Sequence, residues 1–91
     1  MGQKPSDNQI RIWILQSALN NAPDDGLSQL DEETLRQSVR HTEEMNYITR
    51  PSDMPDDAAL SRPDQWTITY GGKDALPILI EAEKARESTA R

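Results

Sequence analysis

The sequence predicts a small α+β domain in which three helices frame a two-stranded antiparallel sheet. Three observations carry that reading. A helix-forming run from Asp31 stops at Met45-Asn46 and passes directly into the β-like Tyr47-Ile48-Thr49. A second β-like run, Trp66-Thr67-Ile68-Thr69-Tyr70, alternates apolar and polar residues after the intervening segment 50–65. Helical apolar periodicity occupies both flanks of this unit, near Ile10–Leu19 and Leu76–Ala82. With 91 residues the chain is sized for one domain, read as 6–87, with a disordered lead at 1–5 and a frayed tail at 88–91.

Ser6 reads as the cap of the first helix, with Gln9 three residues on as its capping-box partner. This helix runs to about Asn21. Its apolar residues are Ile10, Ile12, Trp13, Ile14, Leu15, Ala18 and Leu19. Ile10, Ile14 and Ala18 share one stripe, while Ile12 and Leu19 fall nearly opposite. So wide an apolar surface implies a second cover, either another element or another chain. Asn20 to Gly26 carries stop and turn residues, and Ser28 offers a cap with Asp31 as its partner.

The main helix spans Asp31 to Met45. Asp31, Glu32 and Glu33 complement the positive end of its dipole. Leu35, Ser38, Val39, Thr42 and Met45 form the stripe expected to be buried. Asn46 suits the left-handed position that ends a helix. Segment 50–65 holds three prolines and four aspartates and reads either as a mobile loop or as a loop with one helical turn near Asp57–Leu60. In the second strand Trp66, Ile68 and Tyr70 share a face. Gly71-Gly72 reads as a turn. Asp74 then caps a last helix running to Glu87, with Pro77 in the first turn, where no backbone donor is needed.

Composition narrows function. The apolar fraction is 34% and Phe is absent, so the core is small. A net charge of −6 argues against general affinity for phosphate polymers or anionic membrane. No apolar run approaches the roughly 20 residues that span a bilayer. No signal-peptide core follows the start, and Met1-Gly2-Gln3-Lys4-Pro5-Ser6 matches only the loose N-myristoylation pattern. Cysteine is absent, which fits a reducing cytoplasm and removes disulfide and thiolate chemistry. His41 is the only histidine and no HExxH pair exists, so neither a transition-metal site nor a catalytic constellation is expected, and no cofactor. Asp24-Asp25 and Asp56-Asp57 lack calcium-loop spacing and read as turn chemistry. Gly71-Gly72 lacks the Lys-Ser/Thr context of a phosphate loop.

Glu43-Glu44-Met45-Asn46-Tyr47-Ile48 resembles the Leu-Glu-Glu-x-Gly-Tyr-Ile join between recognition helix and first wing strand of winged helix-turn-helix proteins, with Asn46 at the usual Gly. Trp66 to Leu76 is similar to their second wing strand and the start of their closing helix. The resemblance covers most of residues 8–85 and implies a winged-helix-like fold with a small antiparallel β wing. It departs between Gly26 and Asp31, where a single turn replaces the family's positioning helix, and in its long proline-rich wing.

The resemblance implies a non-enzymatic transcriptional regulator binding double-stranded DNA, with Arg36, Gln37, Arg40 and His41 toward the major groove and Arg50, Arg62 and Lys73 on the backbone. The residues themselves leave another reading open. Glu32–Arg36 and Arg40–Glu44 are i,i+4 pairs, and Glu33–Arg36 and Arg40–Glu43 are i,i+3 pairs, so local acids satisfy the helix arginines. Asp31–Glu44 holds two arginines against five acids. The alternative is therefore an acidic interaction module for a basic protein. A homodimer through the end helices, using Ile12, Trp13, Leu19, Ile78, Leu79 and Ile80, would cover their wide apolar faces; simple core packing is the competing account.

Overall fold

A computed structural model describes residues 5–89. Residues 1–4, hence most of the expected lead and the Met1–Ser6 lipidation match, lie outside the described residues, as do 90–91 of the tail. The chain forms α1 (Asp7–Asn20), a 3₁₀ turn (Asp25–Gln29), α2 (Glu32–Glu44), β1 (Ile48–Thr49), α3 (Asp56–Leu60), a second 3₁₀ turn (Pro63–Gln65), β2 (Thr67–Ile68) and α4 (Tyr70–Thr89). The fold is thus mixed, with four α-helices and one small antiparallel sheet pairing Ile48 with Ile68 and Thr49 with Thr67. No described helix is long and apolar enough to cross a membrane.

Local chemistry sets the boundaries. Ser6 Oγ accepts from the Gln9 amide at 3.1 Å and so caps α1. Asn21 ends α1 in the left-handed region, φ 53°. Asp24 caps the first 3₁₀ turn by accepting from Gly26 N at 2.9 Å. Gly26 lies against the face of the Trp13 indole, where an added Cβ would collide with the ring. Asp31, rather than Ser28, caps α2, accepting from the Thr34 amide at 3.4 Å, while Ser28 lies inside the 3₁₀ turn.

The end of α2 follows the sequence reading. Asn46 sits at φ 63°, its amide donates to Glu43 O at 2.9 Å, and Tyr47 N donates to Thr42 O at 3.3 Å. These two bonds are the Schellman pattern, which satisfies carbonyls a helix end leaves open. Thr69 ties this corner to the next helix. Its hydroxyl donates to Asn46 O at 2.7 Å and accepts from Gly72 N at 3.0 Å, and its own amide donates to Tyr47 O at 3.0 Å.

That bridge corrects the expected second strand and turn. Thr69 caps α4, so the helix begins at Tyr70, Gly71-Gly72 lie in its first turn rather than in a loop, and Tyr70 is 87% exposed. Pro77 then falls inside the helix instead of in its first turn, leaving the Lys73 carbonyl without its usual i+4 donor. The described helix continues to Thr89, past the expected stop at Glu87.

Segment 50–65 is also more ordered than a mobile loop. Ala59, Leu60, Pro63 and Trp66 are buried, and Trp66 Nε1 donates to Ala59 O at 2.7 Å. The segment is folded down, with α3 against α2 and the second 3₁₀ turn against α1. Trp66 has the chemistry to cause this: a large ring that must be buried and an N–H that must find an acceptor.

Helix α1 is the hub. It packs on α2, α4, β2 and both 3₁₀ turns. Ile10, Ile12, Ile14, Leu15 and Ala18 are all buried, so most of its wide apolar surface is covered by the chain's own elements, Leu19 being the part left exposed. Val39 and Thr42 are the buried residues of α2, the Thr42 hydroxyl donating to Ser38 O at 2.7 Å.

Candidate functional site

Helix α2 shows its charged side to solvent because Val39 and Thr42 hold the opposite side in the core. Gln37, Arg40, His41 and Glu44 recur at helical spacing along the exposed stripe. At the N-terminal end of that stripe, Arg36 Nη2 meets Glu32 Oε1 at 2.9 Å and Nη1 meets Asp57 Oδ1 of α3 at 3.6 Å. Gln37 Nε2 donates to Glu33 Oε1 at 3.5 Å. Between α2 and α3 these groups border a groove of about 290 Å³, lined by Glu32, Glu33, Arg36, Gln37, Arg40, Asp57 and Leu60.

The other residues expected at a duplex are dispersed and mostly engaged. Arg50 Nη2 donates to Glu43 Oε1 at 2.9 Å, and its guanidinium lies 5.6 Å from the Trp66 ring centroid. Arg62 donates to both Asp64 oxygens, at 3.3 and 3.4 Å. Burial of Asp64 pushes its carboxyl up, but bonds from Arg62, Gln65 and its own backbone amide, with the Arg62 charge, outweigh this and hold it below 3.8. Lys73 Nζ lies 5.7 Å from the Tyr70 ring on α4.

The structure therefore brings Arg36, Gln37 and Arg40 to one groove, with His41 following them on α2, and ties Arg50, Arg62 and Lys73 to local partners. Of the pairs expected along α2, Glu32–Arg36 forms. Arg40 is in no ion pair among the described residues, and Glu43 serves Arg50 instead. One participant, Arg11, was not singled out from sequence, and another, Asp57, was read there only as turn chemistry in an acidic loop. Asp57 reaches Arg36 only because α3 folds onto α2. Arg11 joins Gln37, Ser38, His41 and Thr42 around a second cleft only because the first turns of α1 approach α2. Neither has a local sequence signal, since both depend on tertiary approach.

The residues expected to join two chains divide differently. Ile12 is buried within the chain; Trp13, Leu79 and Ile80 are half-buried against the core. Leu19 and Ile78 stay exposed, at 45% and 67%.

Comparison with known protein families, curated proteins and solved structures finds no match for the chain.

Proposed function

We propose that the chain is a small non-enzymatic binding module on a winged-helix-like scaffold, and that its partner is a basic protein segment held along the acidic edge between α2 and α3. The observation that carries this reading is the setting of Arg36. Glu32 and Asp57 meet the Arg36 guanidinium, and with Glu33 they set three carboxylates against Arg36 and Arg40 along a groove whose apolar wall is Leu60. An approaching lysine or arginine meets surplus negative charge there, whereas a DNA phosphate meets repulsion. The winged-helix-like scaffold is supported by the order of α1, α2, β1, β2 and α4 and by the α2-to-β1 corner. The non-enzymatic reading is carried by the sequence, with its single histidine and no cysteine.

The test is a fluorescence-anisotropy titration with a lysine/arginine-rich peptide near 0.1 M salt, where the Debye length is about 10 Å. Saturable binding that weakens in Asp57→Lys and Glu33→Lys supports the reading. A peptide that fails to bind, or ignores both reversals, removes it.

A second reading, transcriptional regulation through duplex DNA, is favoured by one observation. Gln37, Arg40 and His41 share an exposed stripe on α2, and Arg40 lies in no ion pair among the described residues. A random-sequence duplex at about 50 mM salt is the discriminating probe, because non-specific binding is strong and salt-steep there. Lack of binding at that salt eliminates this reading.

A further inference from the structure

Arg36 is held differently from the other paired arginines. Glu43, Asp64 and Glu83, which hold Arg50, Arg62 and Arg86, have side chains 31%, 7% and 12% exposed. Glu32 and Asp57, which hold Arg36, are 71% and 88% exposed. Ion pairs open to water are weak, because solvent screens both partners. The covered pairs hold structure, and the open ones can exchange. The Arg36 Nε is also buried without a hydrogen-bond partner. A buried donor left unmade is unfavourable, so the guanidinium is incompletely housed where it lies.

Its geometry is that of a bound guest. Nη2 meets Glu32 Oε1 of α2 at 2.9 Å, and Nη1 meets Asp57 Oδ1 of α3 at 3.6 Å. The two arms of one fork therefore span the groove from wall to wall. An ammonium is a point charge on a flexible stem and lacks that fork. The charge balance favours exchange over addition. Glu32, Glu33 and Asp57 stand against Arg36 and Arg40 along the groove, so one carboxylate is in surplus. A guest cation added beside both arginines uses up that surplus, whereas one that takes the place of Arg36 leaves it intact. Nor does α3 need Arg36 as a strut. Ala59 and Leu60 are buried, and Trp66 Nε1 donates to Ala59 O at 2.7 Å, which fixes α3 from the core side.

We propose that Arg36 is an internal occupant of the groove between α2 and α3, and that an arginine of the partner displaces it; this rests on the acidic edge as the binding surface. The probes are two peptides of equal length and charge, one carrying arginines and the other lysines, titrated by fluorescence anisotropy at about 0.1 M salt. The parent should bind the arginine peptide several-fold more tightly. Arg36→Gln should tighten that peptide roughly tenfold, since an internal competitor lowers apparent affinity by the fraction of molecules it leaves open. Arg36→Lys, which keeps the charge and loses the fork, should tighten it part-way. Arg40→Gln removes the same charge from the same groove and should tighten it less than Arg36→Gln does. The melting temperatures of the Arg36 variants should stay close to that of the parent. Equal gains in Arg36→Gln and Arg40→Gln overturn the proposal, since Arg36 would then act through its charge alone. So do equal affinities for the two peptides, or weaker binding by Arg36→Gln at unchanged melting. In each of these cases the parent still binds, and the acidic-edge reading stands. A parent that binds neither peptide fails that reading itself, and the proposal with it.

Discussion

Helices α1 and α2 are close in length, 14 and 13 residues, and opposite in surroundings. Around α1 the chain places a neighbour on almost every side, so residues on opposite faces, such as Ile12 and Ile14, are both buried. The seam on α2 is narrow, and most of its circumference meets water. A broad apolar face on a helix in a small protein thus reports how many internal neighbours the helix has before it reports a second chain. The charges follow the same division. The hub helix has room for few, and the one-sided helix carries those with which the molecule can recognise something.

The sharpest way to break the comparison is to cut one side chain from each helix. Leu15→Ala on α1 removes a fully buried residue from the point where several elements converge. It should cost about 2–5 kcal/mol, the range for buried Leu→Ala, and lower the melting temperature on the order of 10 °C. Gln37→Ala on α2, an exposed position, should stay within about 0.5 kcal/mol. Chemical denaturation of both variants checks the contrast. Equal losses would mean that α1 is not the hub.

The next effect concerns the corner that joins α2 to α4. Replacing a helical glycine by alanine normally stabilises by about 0.5–1 kcal/mol. At Gly71 a Cβ would have only ordinary contacts, 3.6 Å from Thr69 Oγ1 and 3.7 Å from Asn46 O. At Gly72 it would collide with the Tyr47 carbonyl, which is backbone and cannot swing away. Gly71→Ala should therefore leave stability level or raise it, and Gly72→Ala should lower it by about 1–3 kcal/mol, as overpacking does. The same sign for both would show that α4 does not press on the α2 corner.

How much of this was legible in the sequence depends on the range of the forces involved. The α1 cap at Ser6 and the Asn46 stop are local hydrogen-bonding events, and the sequence predicts both. The start of α4 was misplaced by five residues, with Asp74 taken as the cap in place of Thr69, because Thr69 serves two partners, and the one that matters, Asn46 O, is 23 residues away. Segment 50–65 read either as a mobile loop or as a loop with one helical turn near Asp57–Leu60, and α3 is that turn. The residue that orders it, Trp66, was assigned to the strand that follows. The candidate site was half legible: the outward stripe of α2 follows from helical period, whereas Asp57 and Arg11 arrive through tertiary packing.

Asp64 tests the folded-down segment at smaller scale. Its carboxyl pKa lies below 3.8 in the folded chain, so the group binds protons less readily folded than unfolded. Its stabilising contribution is present above that ordinary value and is lost as pH falls through the lowered folded value. Asp64→Asn should therefore be less stable than the parent near neutral pH, and the gap should close below about pH 4. Urea midpoints across pH measure this. A gap independent of pH would assign the loss to packing and leave the Arg62 pairing without weight.

The smallest expected effect addresses self-association. The case for a dimer rested on apolar surface in excess of what a small monomer hides. Within the chain, Ile12 is buried and Trp13, Leu79 and Ile80 are half-covered, which leaves Leu19 and Ile78 as the exposed pair among the six. Isolated surface apolar residues are ordinary, since much of any folded surface is apolar. Acids also flank Ile78 on its own helix: Asp74 is one turn before it and Glu81 about one turn after, on the same outward side. A two-fold antiparallel pairing of α4 would bring those acids near their own copies, and opposing like charges weaken such a contact. Light scattering should therefore give a monomer mass across a wide concentration range, and Leu19→Ser with Ile78→Ser should leave mass and melting essentially unchanged. A mass that rises with concentration and collapses to the monomer in Ile78→Ser would reverse this, showing that α4 has a partner outside the chain, as α1 has its partners within it.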